Sequence, residues 1–386
     1  MGTETTPEVV EDVFEGRPTD VEVEDANATN EETQESQRPW NPDQIRVTTS
    51  AFSLRNILDQ IEEHSLELAP DFQRGRVWNV GQKSRLVESV LLQIPLPAFY
   101  FAEDSDGAFH VVDGLQRLST LYAYVRDPHS AFPLRGLEYL DDIEGKHFAD
   151  LSIQWQRRIL NTQLIVNVID PSTPSNAMYD IFKRLNTGGT PLNAQEIRHS
   201  MSRPRSRNIL KRMTHTDAFT IATNGLTDHI RMSDREMALR FAAFSLLGLN
   251  GYLEQPAMEP FLMHATRMLD DPRQVPDERV AELERTFTTA MENAYLLFGE
   301  HAFRKWPLGA VGRSPINRAL FETWSVALAD REPQDLVHRR AAIVEAARDR
   351  MANDIDYLNA ITSSTADRRR VSYRFEAAAA DVEAGK

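Results

Sequence analysis

The chain has 386 residues, 41% of them apolar, a formal net charge of −15 and no cysteine. That length suits two domains, and the apolar share suits a packed core. The lack of cysteine excludes disulfides and thiolate metal sites, and the lack of any run of about 18 apolar residues argues against a membrane-spanning helix.

Residues 1–40 hold twelve Asp and Glu against two Arg, a net −10, which leaves −5 for the remainder. Residues 1–44 are rich in Glu, Thr, Asn and Pro and poor in large apolar groups, and they read as a disordered acidic tail. Such a tail either keeps the chain soluble or covers a basic surface as a DNA mimic. It is no signal peptide, so a soluble cytoplasmic protein is expected. A charge-balanced folded region neither requires nor forbids DNA.

Folding is expected to begin near Ile45–Thr49. Ser53 to His64 reads as a helix, with Ser53 as N-cap and Leu54, Ile57 and Ile61 as its apolar stripe. Gly81 to Gln93 is a second helix, with Leu86, Val90 and Leu91 inward, stopped by Pro95 and Pro97. Ala98–Ala102 and Phe109–Val112 read as strands about the Asp104–Gly107 turn. Leu115, Leu118, Leu121, Tyr122 and Val125 open a helix directly after the second strand. Leu164–Ile169 is a further strand, alternating and β-branched. Met178, Ile181, Phe182 and Leu185 mark a helix that Gly188 and Gly189 end, and Asn193 with Glu196 caps the next one. From about residue 205 the pattern is helical throughout. Ser233 with Glu236 reads as a capping box, and helices fit near 256–270, 277–300, 315–330 and 335–352.

The most informative stretch is Asp113-Gly114-Leu115-Gln116-Arg117, between a strand and the helix it opens. Such a turn places backbone N–H groups and a cation around an anion. Gly114 lets the backbone approach a ligand closely. Arg117 adds a fork of donors for phosphate, or is a solvated Arg on a tight turn. Asp113 either holds Mg²⁺ or fixes Arg74 or Arg117 as an ion pair. Gln116 orients a water, reads a base, or is a helix-surface amide.

Two other stretches join it. Gln73-Arg74-Gly75-Arg76 offers an amide and two guanidiniums, suited to nucleotide phosphate or nucleic-acid backbone, or forms a solvated basic loop. Arg184, Asn186 and Thr187 lie at the polar end of the Met178–Leu185 helix, where Asn186 also suits a C-cap. Glu196 reads as a helix cap first and a functional group second. At the C-terminal end Arg368, Arg369, Arg370 and Arg374 form a basic cluster, read either as a solvated terminal helix or as a contact to DNA or nucleotide.

Gln73-Arg74, Asp113–Arg117 and Phe182 to Leu192, in this order and spacing, resemble the GmrSD N-terminal domain family (domain of unknown function 262), over roughly residues 48 to 200. Leu115 stands where the commoner family wording, Asp-Gly-Gln-Gln-Arg, has its first Gln. The resemblance implies a ParB/sulfiredoxin-like fold for residues 45–204. The expected architecture is therefore α+β, a small ParB-like α/β domain followed by an all-helical domain over 205–386. It also implies an NTP bound at the Asp113–Arg117 turn with Mg²⁺. Gly114 and Arg117 would cradle phosphate, with Gln73 and Arg74 opposite and Arg184, Asn186, Thr187 and Gly189 from the third motif. Asp113 would hold the metal or activate water with Gln116 and Arg117. Arg76 and the Arg368–Arg374 cluster are the candidates for nucleic acid.

The function expected on this basis is an NTP-hydrolysing, DNA-associated protein of a bacterial phage-defence or restriction system. The alternatives are a catalytically silent nucleotide or DNA sensor that recruits a partner effector, and a DNA nickase. DNA and a partner nuclease or defence protein are the expected partners, with self-association open. There is no Gly-x-x-x-x-Gly-Lys-Ser/Thr phosphate loop. His215, His229, His264, His301 and His338 are scattered without metal-ligand spacing, so no His-Asn-His-type nuclease is expected after residue 200.

Overall fold

In the computed structural model, which describes residues 9–23, 41–68, 78–104, 107–185, 192–255 and 257–386, the extended segments pair into one mixed sheet and a separate hairpin. The hairpin joins β1 (Glu11–Phe14) to β2 (Arg17–Glu22). The sheet has five strands, β3 (Val47–Ser53), β4 (Leu66–Glu67), β5 (Phe99–Glu103), β6 (Phe109–Asp113) and β7 (Gln163–Ile169), in the order β3-β7-β5-β6-β4. β7 runs antiparallel to β3 and parallel to β5, while β6 runs antiparallel to β5 and parallel to β4. A register shift between Tyr100 and Phe101 sets Tyr100 opposite Asp113 at the end of β6.

The chain divides into two compact units, Pro39–Met201 and Met1–Arg38 with Ser202–Lys386. In the first unit, helices cover both faces of the sheet, because its strands alternate two sets of apolar side chains. Helices α1 (Leu54–Glu62), α2 (Val80–Leu91), α3 (Leu115–Val125) and α4 (Ile153–Asn161) supply Leu54, Ile57, Val87, Val90, Leu118 and Ile159 to one core with Phe101, Val111 and Val166. Helices α5 (Ser175–Leu185) and α6 (Ala194–Met201) bring Phe182 and Ile197 against Ala102, Val112 and Ile169. Local caps start these helices where the sequence placed them. Ser53 accepts from the Asn56 N–H at 3.3 Å. The Asn193–Glu196 box is closed by reciprocal bonds of 2.7 and 2.8 Å.

The second unit contains α7 (Pro204–Thr214), α8 (Asp217–Thr223), α9 (Ser233–Leu253), α10 (Met258–Asp270), α11 (Asp277–Phe298), α12 (Arg318–Leu328), α13 (Pro333–Asn353), α14 (Ile355–Thr362) and α15 (Arg368–Val382). Its core includes Phe219, Phe241, Phe287 and Phe321. The architecture is thus α+β, a mixed-sheet unit and a largely helical one, and among the described residues no helix is long and apolar enough to cross a membrane.

The Ser233–Glu236 capping box does not form. Left-handed Met232 (φ 56°) precedes α9, and Glu236 instead accepts from Arg240 at 2.9 Å and pairs with Arg318 at 3.3 Å. Buried guanidiniums compete successfully for that carboxylate.

Nor is residues 1–44 a disordered tail over its whole length. Residues 9–23 are a packed part of the helical unit, with Val21 0% exposed and β2 bridged to Ile316 by backbone bonds of 2.8 and 2.9 Å. Asp20 takes a bidentate pair from Arg304, 2.7 Å for each bond, and Glu22 accepts from Lys305 at 2.5 Å. Average composition hides this, because the carboxylates find buried cations almost three hundred residues away. Residues 1–8 and 24–40 lie outside the described residues.

Candidate functional site

β6 carries Asp113 at its last position, and α3 begins two residues later. The link is Gly114, whose φ of 96° lies in the left-handed region and whose Cβ, if present, would collide with the Phe99 ring. Glycine is therefore required both by backbone angle and by space. Gly114 stands at the N-cap and has no side chain to accept from the first N–H groups of α3, at the positive end of the helix dipole. Leu115 is buried in the core with Leu118 and Leu121, so its side chain packs rather than facing a ligand.

Arg117 sits in the first turn of α3, its side chain only 14% exposed. It donates to the Pro97 carbonyl, to the Ala98 carbonyl at 3.3 Å and to Asp113 Oδ2 at 2.8 Å. Its guanidinium lies 4.4 Å from the centre of the Phe99 ring. Burial holds its pKa below the ordinary arginine value, opposed by the Asp113 carboxylate. It stays charged at neutral pH. Three of its five N–H donors are thus committed within the protein, which fastens the βα turn to the start of β5. Of the two roles read for Asp113, the ion pair with Arg117 is present. Its Oδ1 makes no hydrogen bond among the described residues, and its side chain is about a third exposed. Gln116 occupies the same first turn, half-buried.

Gln73, Arg74, Gly75 and Arg76 lie outside the described residues, as do Asn186, Thr187 and Gly189. Arg184 is exposed in the last turn of α5, a helix that packs against β6. α6 also packs against β6 and buries an unusually polar run, Gln195, Glu196, Arg198 and His199, with the Arg198 Nε donating to Gln195 at 3.0 Å. Glu196 closes the helix cap that its place in the sequence suggested, and it is also buried.

Sequence reasoning passed over His110. It stands on β6 with Nδ1 3.3 Å from Glu67 on β4 and Nε2 3.6 Å from Asp104 at the end of β5. The signal for it was a lone His within an apolar strand whose neighbours end in carboxylates.

The C-terminal basic cluster is a correction in part. Arg374 is 0% exposed, pairs with Glu322 and donates to the Ala360 and Thr365 carbonyls at 3.1 and 2.5 Å. It cannot touch a nucleic acid there. Arg370 donates to the Ser363 carbonyl and Arg368 to that of Gln255 at 2.5 Å, whereas Arg369 is exposed with no side-chain partner among the described residues. Alternation around α15 turns one guanidinium inward to meet the buried Glu322.

Among the described residues no group of three His, Asp or Glu side chains is placed to hold a metal. A cation at this turn would have the free Asp113 oxygen as one ligand, a sparse donor set that suits Mg²⁺ bound chiefly through phosphates and water.

Residues 54–202 match the family model of the GmrSD restriction endonuclease, N-terminal domain. This segment, which holds all three motifs and ends where the sheet-bearing unit ends, is similar to the GmrSD N-terminal domain family. No curated protein matches the chain.

Proposed function

We propose that the sheet-bearing unit, with a ParB/sulfiredoxin-like arrangement, binds a nucleoside triphosphate at the Asp113–Arg117 turn and couples it to DNA in a restriction-type phage-defence system. The observation that carries the reading is the left-handed Gly114 at the N-cap of α3, flanked by Asp113 and Arg117 inside the family-matched segment. The α3 N-terminus and the remaining Arg117 donors would take phosphate oxygens, with Arg184 and the first- and third-motif residues as further donors. Magnesium, when bound through Asp113 and the phosphates, would neutralise phosphate charge. Asp113 would shift between Arg117 and that charge, making the turn responsive to the nucleotide.

A second reading has a specific observation behind it. Because Asp113 is already engaged by Arg117, it is poorly placed as a general base, which favours a sensor that binds nucleotide and recruits a partner nuclease without turnover. Melting the protein with ATP, GTP or CTP, with and without Mg²⁺, tests the binding. A ligand at about 100 times its Kd should add about 2.7 kcal/mol. No shift with any of them defeats the nucleotide site. Phosphate release with DNA present then separates hydrolase from sensor, and plasmid relaxation without nucleotide would point to a nickase.

A further inference from the structure

A second polar depression lies on the same unit, where the end of α2 meets α4 and the start of β7. Its volume is about 520 Å³, within the range of ligand sites. Its lining includes Gln93, Gln154, Asn161, Gln163, Arg157 and Arg158, with Gln163 Nε2 donating to the Asn161 carbonyl at 3.2 Å, and among the described residues no carboxylate lines it. Arg158 is fixed, donating to the Leu91 carbonyl at 3.0 Å and lying 5.1 Å from the centre of the Trp155 ring. The side chains of Gln93, Gln154, Arg157 and Asn161, by contrast, have no hydrogen-bond or ion-pair partner among the described residues. Ile94, half exposed, adds an apolar surface at the groove.

Gln93 is also held in a strained conformation. α2 ends in a Schellman motif, with Gln93 N–H on the Val90 carbonyl at 3.1 Å and Ile94 N–H on the Ser89 carbonyl at 2.9 Å. The left-handed position of that motif, φ 61°, belongs to Gln93, where glycine is the unstrained choice. A strained glutamine whose amide points to no protein partner suits a side chain kept for a ligand.

We propose that this groove binds single-stranded nucleic acid, with Arg157 on a backbone phosphate and the amides of Gln93, Gln154 and Asn161 on base edges. Amides supply paired donors and acceptors that match base edges, and a cationic groove without carboxylates favours the phosphodiester. The groove lies beyond the nucleotide reading and does not depend on it, although its Gln93–Leu96 segment runs directly into the Pro97 and Ala98 carbonyls held by Arg117.

The test is fluorescence anisotropy of a labelled mixed-sequence DNA oligonucleotide with the full chain, without added nucleotide. Arg157→Ala and Gln93→Gly should each weaken binding several-fold. Arg157→Ala should also flatten the slope of log affinity against log salt by roughly 0.7. Gln93→Gly should melt no lower than wild type, because it relieves the left-handed strain, so its lost affinity cannot be misfolding. Undiminished binding in the double variant, no binding by the wild type, or equal competition by inorganic polyphosphate of matched charge would overturn the proposal. An ATP melting series run in parallel keeps the two sites apart. Strand binding without any ATP shift defeats the nucleotide site alone, and an ATP shift without strand binding defeats the groove alone.

Discussion

Phe99 shows how single residues set the chemistry of the turn. Its ring closes the space over Gly114 and carries the Arg117 guanidinium. Gly114→Ala should therefore destabilise the protein by on the order of 2 kcal/mol or more, through both the left-handed backbone and the ring, as read by denaturant unfolding. A loss below about 0.5 kcal/mol would mean that the turn relaxes freely. Arg117 holds two backbone carbonyls and a carboxylate as well as any ligand. Arg117→Ala should thus cost about 1–3 kcal/mol and also abolish the nucleotide-induced melting shift. Arg117→Lys keeps the charge without the fork and should recover little of either. The strand–glycine–helix junction was readable from its residue order. Its bonds to the Pro97 and Ala98 carbonyls were not, because they depend on β5 pairing beside β6.

Elements behave differently, and the hairpin β1–β2 is the clearest case. His229 ties it to the helical unit. The Nδ1 accepts from the Arg231 and Ser233 N–H groups at 3.2 and 3.3 Å, so the Nε2–H donates to the Thr19 carbonyl at 3.2 Å. Burial pushes the His229 pKa down to about 4, only partly opposed by the Thr19 bond. Between about pH 6.5 and 4 the unfolded chain binds a proton that the folded one excludes. This contribution is complete above pH 6.5 and is lost on acidification toward pH 4, up to about 3 kcal/mol. Comparing wild type with His229→Gln at pH 7 and pH 4.5 isolates it. The wild type should lose more stability than the variant, and parallel losses would remove His229 as the cause. Deleting residues 9–23 should likewise lower the melting temperature by several degrees, since it exposes the Arg304 and Lys305 sites and uncovers the Ile316 backbone. An unchanged melting temperature would restore the reading of a dispensable tail.

At the scale of the whole molecule, the two units have separate cores. Calorimetry should accordingly resolve more than one transition. ATP with Mg²⁺ should raise the transition of the sheet-bearing unit, and removal of the hairpin should lower that of the helical unit. A single transition moved equally by both would show that the units unfold together. The family match covers residues 54–202, within the range of the sheet-bearing unit to within a residue.

Period and capping chemistry act locally, and for that reason the chain by itself determined most elements. The stripes of α1, α2 and α3, the alternation of β7 and the Asn193–Glu196 box all lie where their residues placed them. The order of motifs was local too, and it carried the family resemblance. Tertiary structure alone decided which charges are buried. Asp20 on Arg304, Arg374 on Glu322, Glu236 on Arg240 and His110 between Glu67 and Asp104 join distant segments or turn on which face of a helix meets the core. The cost of desolvating a charge depends on its partner, and composition counts charges without saying which of them meet.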